Sequence, residues 1–344
     1  GRLQIPSELR VSTAPKYPLR GIQLGNRNVN NTYDAWGPEQ FDAYIRDLAL
    51  FGANSVELIP PFVADYPTDN SQRLLPSDEM MPHIVDAIDS YGMDVWVFYP
   101  SIEEGADEWD DPGEEAFSDP AFIRKELDRA DRFFGDVKRL DVLFVPGGDP
   151  GVLSPEVLFP WLGKLAPVLQ KHHPAARIWV SDQFGVAGRS WYDSFIEEAN
   201  RAPTWLGGVA VGPGGGTPIP EMRRRLDPEV PIRHYVDITH IVPAQYPIPT
   251  YDRTFFLTLG REPPIPRPRA FKRIHNLYAD DTVGALAYSE GVNDDVNKFV
   301  WLDQGWDSET PVVETLRDYI RVFIDPGHTE ELAQGFFALE ENLN

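Results

Sequence analysis

The sequence contains no cysteine, and this absence excludes several kinds of site at once. Without thiols there is no disulfide framework, no zinc–thiolate or iron–sulfur centre and no cysteine nucleophile. No apolar run reaches the roughly 18–20 residues that a membrane-spanning helix needs, so we expect no membrane partner. The absence of cysteine does not fix the compartment, which stays open, with a periplasmic or secreted location slightly favoured over a cytoplasmic one.

Basic residues are also scarce. The chain has 31 Lys and Arg against 54 Asp and Glu, which gives a net charge of −23. Nucleic acids and anionic membrane surfaces select for a basic footprint, so the composition argues against both as partners. What remains is typical of a globular protein, because 42% apolar and 12% aromatic residues in a chain of 344 can bury a sizeable core.

Short apolar segments alternate with longer amphipathic segments along most of the chain. The apolar segments predict eight strands, at residues 20–24, 54–58, 94–99, 140–145, 177–181, 207–211, 232–238 and 284–289. Continuous apolar strands, each followed by a helix, are typical of parallel strands buried on both faces. Eight such units over about 270 residues predict an α/β fold of the (β/α)8 TIM-barrel type, with a doubly wound open sheet as the alternative.

Helix patterns lie between the strands, and capping signals mark their ends. The patterns span residues 38–52, 77–92, 119–135, 154–170 and 189–200, with further helices at 308–324 and 329–343. Ser77, Asp119 and Ser154 stand where an N-cap oxygen can accept first-turn N–H groups. We divide the chain into a linker or the end of a missing N-terminal domain (1–17), the barrel (18–325) and a C-terminal helix packed on it (326–344).

Polar side chains collect where the predicted strands end. In a barrel, function is carried by the carboxyl ends of the strands and by the loops that follow them. The candidates at these places are Gln23, Asn26, Arg27, Asn28, Glu57, Tyr99, Glu103, Asp149, Asp182, Gln183, Asp237, His240, Gln245, Glu290, Asp294, Asp295, Asn297 and Lys298. Many carboxylates and amides around one mouth indicate a polar neutral ligand, and sugars are the obvious class.

Two carboxylates across a glycosidic bond are the minimum for glycoside hydrolysis, which needs no cofactor and no metal. Asp149 and Glu290 are the leading pair, because glycines flank them and permit close approach of a ligand. Asp237 and Glu57 are the alternatives for the second carboxylate, because the sequence does not identify which two carboxylates react. Sugar faces stack on aromatic rings, so tryptophans that follow strand ends, Trp36, Trp301 and Trp306, are candidate sugar platforms.

Two stretches resemble a known family, the retaining β-N-acetylhexosaminidases. The opening 18-PLRGIQLGNRN-28 resembles the first barrel strand of that family, and Arg20 takes the place of an arginine that binds sugar hydroxyls. The stretch 147-GGDP-150 resembles the Gly-Gly-Asp-Glu turn after the fourth strand. Asp149 matches the aspartate that orients the substrate's acetamido group, whereas Pro150 stands where the family has its general acid. The resemblance implies a hexosaminidase-like barrel whose acid is Asp149 or comes from another strand end.

The resemblance breaks at a second position, and it extends to a second group of barrels. Gly25 stands where the family has an aspartate late in the first strand, and 285-ALAYSEGVNDDVNKFVW-301 resembles barrel-closing segments of the related α-glucuronidases. A uronic acid substrate would give Arg20, Arg27, Arg233 or Lys298 a carboxylate to bind. Enzymes of this group commonly carry a small α/β domain before the barrel, which implies such a domain N-terminal to this chain.

The expected substrate is therefore an oligo- or polysaccharide that contains a hexosaminide or a uronic acid. The residues expected to bind it are Arg20, Gln23, Arg27, Glu57, Tyr99, Asp182, Gln183, His240, Gln245, Asp294 and Trp301. Two other functions stay open. A non-catalytic glycan-binding barrel is favoured by Pro150. A metal-dependent lyase or aldolase would use Asp294, Asp295, Glu290 and His240 as oxygen and nitrogen ligands.

Overall fold

The structure is a computed structural model, and it describes residue 8 together with residues 10–25, 32–59, 77–99, 113–147, 153–183, 188–238, 252–258 and 264–343. Pro150 lies outside the described residues, and so do seven of the candidate residues: Asn26, Arg27, Asn28, Glu103, Asp149, His240 and Gln245. The predicted roles of these residues stay predictions.

Eight parallel strands form a closed barrel, which confirms the (β/α)8 prediction. They pair in chain order, and the last strand pairs with the first. Their bounds are β1 Leu19–Leu24, β2 Ser55–Leu58, β3 Asp94–Phe98, β4 Val142–Val145, β5 Arg177–Ser181, β6 Leu206–Val211, β7 Ile232–His234 and β8 Gly284–Ser289. Strand β7 is shorter than predicted and ends at His234. Beyond it, Asp237 makes a separate parallel bridge with Tyr288 of β8.

Helices alternate with the strands and cover the outside of the barrel. Their bounds are α1 Pro38–Leu50, α2 Ser77–Ser90, α3 Gly113–Ala116, α4 Pro120–Asp136, α5 Pro155–His172, α6 Arg189–Asn200, α7 Ile219–Arg225, α8 Arg253–Thr258, α9 Pro268–Leu277, α10 Asp295–Trp306, α11 Val312–Phe323 and α12 Thr329–Asn342. A short 3-10 turn, Thr32–Ala35, precedes α1. Within the described ranges, no helix is long and apolar enough to cross a membrane.

The capping predictions have mixed outcomes. The Asp119 side chain accepts a hydrogen bond of 2.9 Å from the Ala121 N–H, which confirms it as the N-cap of α4. Ser154 occupies the N-cap position of α5 but makes no side-chain capping bond, so that part of the prediction is wrong. Its own N–H instead donates to the Glu114 carboxylate.

Helix α10 differs from the prediction. The sequence indicates a strand-end loop at residues 295–306 and places the closing helix at residues 308–324. Ten of the twelve residues of α10 are buried, from Asp295 to Gly305, so no polar face marks the helix in the sequence. Helix α11 corresponds to the predicted 308–324 segment. It packs against α10 and α12 through an apolar cluster that includes Val300, Leu316 and Phe337.

Side chains alternate along each strand between the barrel interior and the helix layer. The interior is filled largely by aromatic residues, in a cluster composed of Leu19, Trp96, Phe98, Phe144, Trp179, Ala210, Tyr235, Leu286 and Tyr288. Three polar side chains, Gln23, Glu57 and Arg233, are fully buried in addition. The barrel is therefore a packed core, and polar chemistry is restricted to a few positions in it and at its carboxyl end.

Candidate active site at the carboxyl ends of the strands

Glu290 follows β8 directly, at the carboxyl end of the barrel. It continues the alternation of Leu286 and Tyr288, whose side chains belong to the interior cluster. The Tyr288 hydroxyl donates a hydrogen bond to Glu290 Oε1, and Glu290 is fully buried. A hydrogen bond donated to a carboxyl group restricts its orientation.

Asp237 lies beside Tyr288 on the neighbouring strand end. The two residues form a parallel bridge, and Asp237 continues the alternation of Arg233 and Tyr235. Tyr288 thus contacts Glu290 through its hydroxyl group and faces Asp237 along the backbone. The structure brings two of the three predicted catalytic carboxylates to adjacent strand ends around one tyrosine.

Tyr288 is a site residue that the sequence analysis missed. A Cβ atom on Gly25 would lie 2.8 Å from both Cζ and Oη of Tyr288. The tyrosine therefore fills the space into which an aspartate at position 25 would project, which gives a steric reason for the glycine there. The signal available in the sequence was its spacing, since Tyr288 stands two residues before Glu290 on the same strand face.

The segment that carries Asp149 is described only at its two ends. A Cβ on Gly147 would lie 2.3 Å from the carbonyl oxygen of Ser181 and 2.8 Å from a ring carbon of Trp191, so only glycine fits there. The indole N–H of Trp191 also donates to the Leu153 carbonyl oxygen at 2.9 Å. One tryptophan therefore supports both ends of residues 147–153. The first glycine of Gly-Gly-Asp has a packing reason, while the role of Asp149 stays a prediction.

Glu57 is held inside the barrel by Arg233. The guanidinium donates from Nη1 to Glu57 Oε2 at 2.7 Å and from Nη2 to Oε1 at 3.3 Å, and the Gln23 amide donates to Oε1 as well. The guanidinium carbon lies 4.2 Å from the Phe144 ring centroid and 4.9 Å from that of Trp96. Burial raises the pKa of Glu57, and the opposing effect of Arg233 is smaller. Gln23 and Glu57, both predicted to bind substrate, form part of this internal network.

Asp182 and Gln183 support the loop after β6. Asp182 Oδ2 accepts a hydrogen bond of 3.1 Å from the Thr217 N–H, and Gln183 forms an antiparallel bridge with Gly215. Burial raises the pKa of Asp182 to about 6, although backbone N–H groups, that of Thr217 foremost, act in the opposite direction. Both predicted binding residues thus join β5 to the next strand–helix connection.

Arg20 lies at the opposite end of the barrel from Glu290. Its guanidinium donates to the carbonyl oxygens of Tyr17 at 2.5 Å and Gly52 at 2.8 Å. Gly52 follows α1 and precedes β2, which identifies the amino-terminal end of the strands. Trp306, a predicted sugar platform, lies over the same guanidinium at 5.3 Å. These contacts correct the expectation that Arg20 binds sugar, because its hydrogen bonds join β1 to the turn after α1.

Tyr99 and Trp301 pack in the layer between the strands and the helices. The Tyr99 ring lies 5.8 Å from that of Phe134 on α4, and Tyr99 is only 3% exposed. Trp301 is 2% exposed on α10, and its ring lies 4.9 Å from that of His275 on α9. The structure does not bring either ring to the mouth, because both contribute to the apolar core on the outside of the barrel.

Three of the four side chains considered as metal ligands, Asp294, Asp295 and Glu290, bond different protein groups. Asp294 Oδ1 accepts the Ile265 N–H at 3.0 Å, and Asp295 Oδ1 forms an ion pair of 2.9 Å with Lys298. Among the residues that the structure describes, no group of three or more acidic or histidine side chains could hold a metal ion. His240, the fourth ligand considered, lies outside that part of the chain.

No family model matches the sequence, and no curated protein matches it either. Solved structures with a similar fold include a family 89 glycoside hydrolase from Clostridium perfringens in complex with 2-acetamido-1,2-dideoxynojirmycin. It has a TM-score of 0.57 and 14% identity, over 93% of this chain and 41% of that chain. An endo-β-1,4-mannanase from Thermotoga petrophila matches with a TM-score of 0.53 and 8% identity, over 87% of this chain and 79% of that chain.

A GH20 β-N-acetylhexosaminidase from Streptomyces coelicolor also matches, with a TM-score of 0.45 and 11% identity, over 93% of this chain and 70% of that chain. Identities this low establish the TIM-barrel fold alone. The likeness of fold rests on the family 89 enzyme and the mannanase, and the resemblance to the hexosaminidases goes no further than this shared barrel. Membership of that family does not follow from it.

Proposed function

We propose that this chain is a glycoside hydrolase in which Glu290 acts as the base or nucleophile and Asp149 as the acid. The observation that carries the proposal is Glu290 itself, a carboxylate at the carboxyl end of β8 that accepts a hydrogen bond from the Tyr288 hydroxyl. Two proteins of the same fold, described as a family 89 glycoside hydrolase and an endo-β-1,4-mannanase, support the reaction class by analogy.

The assignment of roles follows from the Tyr288 hydrogen bond. A general base or a nucleophile has to be held in a defined orientation, and the Tyr288 hydroxyl bonds the Glu290 carboxyl group directly. Asp237, on the neighbouring strand end, is the reserve for the second carboxylate. A separation of roughly 5 Å between the two reacting carboxyls would imply retention of configuration, and roughly 6.5–9.5 Å inversion.

A neutral sugar, such as an N-acetylhexosaminide, is the favoured substrate of the two expected classes. A uronic acid needs a cation to bind its carboxylate. Three of the four cations considered for that role are held by the protein: Arg20 by backbone carbonyls, Arg233 by Glu57 and Lys298 by Asp295. The fourth, Arg27, lies outside the described residues. The three described cations are thus engaged by the protein itself, which favours a neutral sugar over a uronic acid.

The test is a hydrolysis screen against aryl α- and β-glycosides, including N-acetylhexosaminides and glucuronides, with Glu290→Gln and Asp149→Asn. We expect turnover of a neutral glycoside, and a fall in kcat of about 10²–10⁴-fold in each variant, because each loses a proton-transfer or nucleophilic group. Asp128→Asn, at an exposed position on α4, is the matched control and should retain full activity. Circular dichroism checks that every variant is folded.

Three results would change the proposal. Full activity in Glu290→Gln would remove Glu290 from the site, and preferred cleavage of glucuronides would overturn the neutral-sugar assignment. Tight glycan binding without turnover would support the glycan-binding barrel instead, the function that Pro150 favours.

A further inference from the structure

Lys298 is a fully buried ammonium whose contacts converge on the two residues that flank Glu290. Its Nζ lies 2.5 Å from the Gly291 carbonyl oxygen and 3.0 Å from the Ser289 hydroxyl oxygen. Ser289 Oγ also donates to the Gly291 carbonyl oxygen at 2.9 Å. The backbone on both sides of Glu290 is thus tied to a single side chain of α10.

The ammonium is anchored from behind by three further groups. Asp295 Oδ1 lies 2.9 Å from Nζ, and the Tyr44 hydroxyl of α1 donates to the same oxygen at 2.7 Å. The Tyr33 hydroxyl lies 3.2 Å from Nζ and 2.9 Å from Ser289 Oγ. Four oxygens therefore surround an ammonium with three N–H bonds, so its donor capacity is used in full.

The charge state of the cluster suits this anchoring. Burial lowers the pKa of Lys298, but the Asp295 carboxylate and Tyr33 outweigh it and raise the pKa above its ordinary value. Burial and the Asp295 carboxylate raise the pKa of Tyr44 well above its usual range. Lys298 therefore stays charged and Tyr44 stays a donor across the pH range in which glycosides are normally assayed.

We propose that Lys298 is a positioning residue, which acts through Ser289 and Gly291 to hold Glu290 in the orientation that Tyr288 bonds. The inference rests on the proposed function of Glu290. A buried ion pair contributes little net stability compared with apolar residues of the same size, so stability alone does not account for the cluster. Orientation does account for it, since displacement of a reacting group by about 1 Å can cost about 10²-fold in rate.

The experiment removes both charges together, so that neither is left unpaired. The double variant Lys298→Met/Asp295→Asn is compared with Tyr33→Phe, which removes one hydroxyl that contacts both Lys298 and Ser289. Leu316→Ala is the control for stability. This residue is fully buried on α11, in the cluster shared with α10 and α12, and its truncation destabilises the chain through a cavity without removing any group that bonds Lys298.

We expect kcat to fall about 10²-fold in the double variant with KM little changed, because binding groups remain while Glu290 is misaligned. Tyr33→Phe should lower kcat less, and Leu316→Ala should keep the wild-type kcat per folded molecule. A crystal structure of the double variant should show Glu290 displaced from the Tyr288 hydroxyl. If the double variant fails to fold, Tyr33→Phe provides the same two measurements.

Wild-type kcat in the double variant, with the Tyr288–Glu290 hydrogen bond intact, would overturn the inference. An equal fall in kcat for Leu316→Ala would overturn it too, because a loss of stability would then explain the effect. The proposed function fails separately, through full activity of Glu290→Gln. In that case the crystal structures still decide whether Lys298 orients Glu290.

Discussion

Two buried ion pairs show how differently the same kind of contact can be built. Arg233 and Glu57 meet inside the barrel among aromatic rings, and both are fully buried. Lys298 and Asp295 meet behind β8, where Lys298 also bonds two residues of the strand-end turn. Among the described residues, the first pair leaves Arg233 Nε and the Gln23 Oε1 oxygen without hydrogen-bond partners. In the second pair, every N–H bond of the ammonium has an acceptor.

The difference indicates what each pair contributes. Burial raises the pKa of Glu57 despite its arginine, so the barrel interior disfavours that charge. The pair persists because removal of either partner would leave the other charge buried and alone. The Lys298 pair instead connects α1, α10 and the end of β8 around Glu290. The Arg233–Glu57 pair is consistent with a role in packing the barrel interior. The Lys298–Asp295 pair lies where it can orient the Glu290 carboxylate.

Breaking the barrel pair should have the largest effect on stability. Arg233→Met leaves the Glu57 carboxylate buried and unpaired, and we expect it to lower the free energy of unfolding by about 3–5 kcal/mol at pH 7. The loss should be smaller in acid, because Glu57 can then be protonated. Urea denaturation at pH 7 and pH 5 measures both quantities. Glu57→Leu/Arg233→Met is the matched control and should recover most of the loss, whereas a single-variant loss below about 1 kcal/mol would refute the comparison.

The contrast between the two pairs also explains what the sequence could predict. The eight strands are visible because most of them are short apolar runs followed by a helix pattern. Glu290 is visible because it stands just past such a run, and Asp237 because it stands near the end of one. Arg20 is the counterexample. It was placed at the site by resemblance, yet it is the second residue of β1 and so lies near the amino-terminal end.

The remaining features depend on contacts that local patterns do not contain. Arg233 and Glu57 are 176 residues apart in the chain, and only closure of the barrel brings them together. Helix α10 lacks a polar face, because it is covered by α9 and α11 on its outer side. Lys298 was therefore interpreted as a strand-end cation for a ligand, although the helix carries it into a fully buried position.

Asp182 is a third buried carboxylate. Unlike Glu57 and Asp295, it is bonded by backbone N–H groups and not by a cation. Burial raises its pKa from 3.8 to about 6, so the folded state binds more protons than the unfolded state between these two values. The free energy of unfolding therefore falls as pH rises through this window, by about 3 kcal/mol at 1.36 kcal/mol per pH unit. Asp182→Asn cannot ionise and lacks this loss. Its stability relative to the wild type should rise by about 2 kcal/mol from pH 4 to pH 8, since the unfolded carboxyl is already more than half ionised at pH 4.

Denaturant titrations at pH 4 and pH 8 measure this difference directly. The amide introduced by Asp182→Asn places an NH₂ group where Asp182 Oδ1 has no hydrogen-bond partner among the described residues. Any loss of stability from this replacement is the same at both pH values, so the comparison across pH cancels it. Asp128→Asn, which is exposed, serves as the control and should show the pH dependence of the wild type. A constant offset between Asp182→Asn and the wild type would mean that Asp182 is ionised at both pH values.

The smallest expected effect is that of Tyr288→Phe on kcat. This variant tests directly whether a hydrogen bond at the carboxyl end of the barrel serves catalysis. Tyr288→Phe keeps the ring that fills the space beside Gly25 but removes the hydroxyl that bonds Glu290. A hydrogen bond to a charged group contributes about 1.5–3 kcal/mol, so we expect kcat to fall at least about tenfold with little change in KM. Tyr91→Phe, at an exposed position after α2, should leave the kinetics unchanged. Unchanged kcat in Tyr288→Phe, with Glu290→Gln inactive, would mean that Lys298 and its partners orient Glu290 without help from Tyr288.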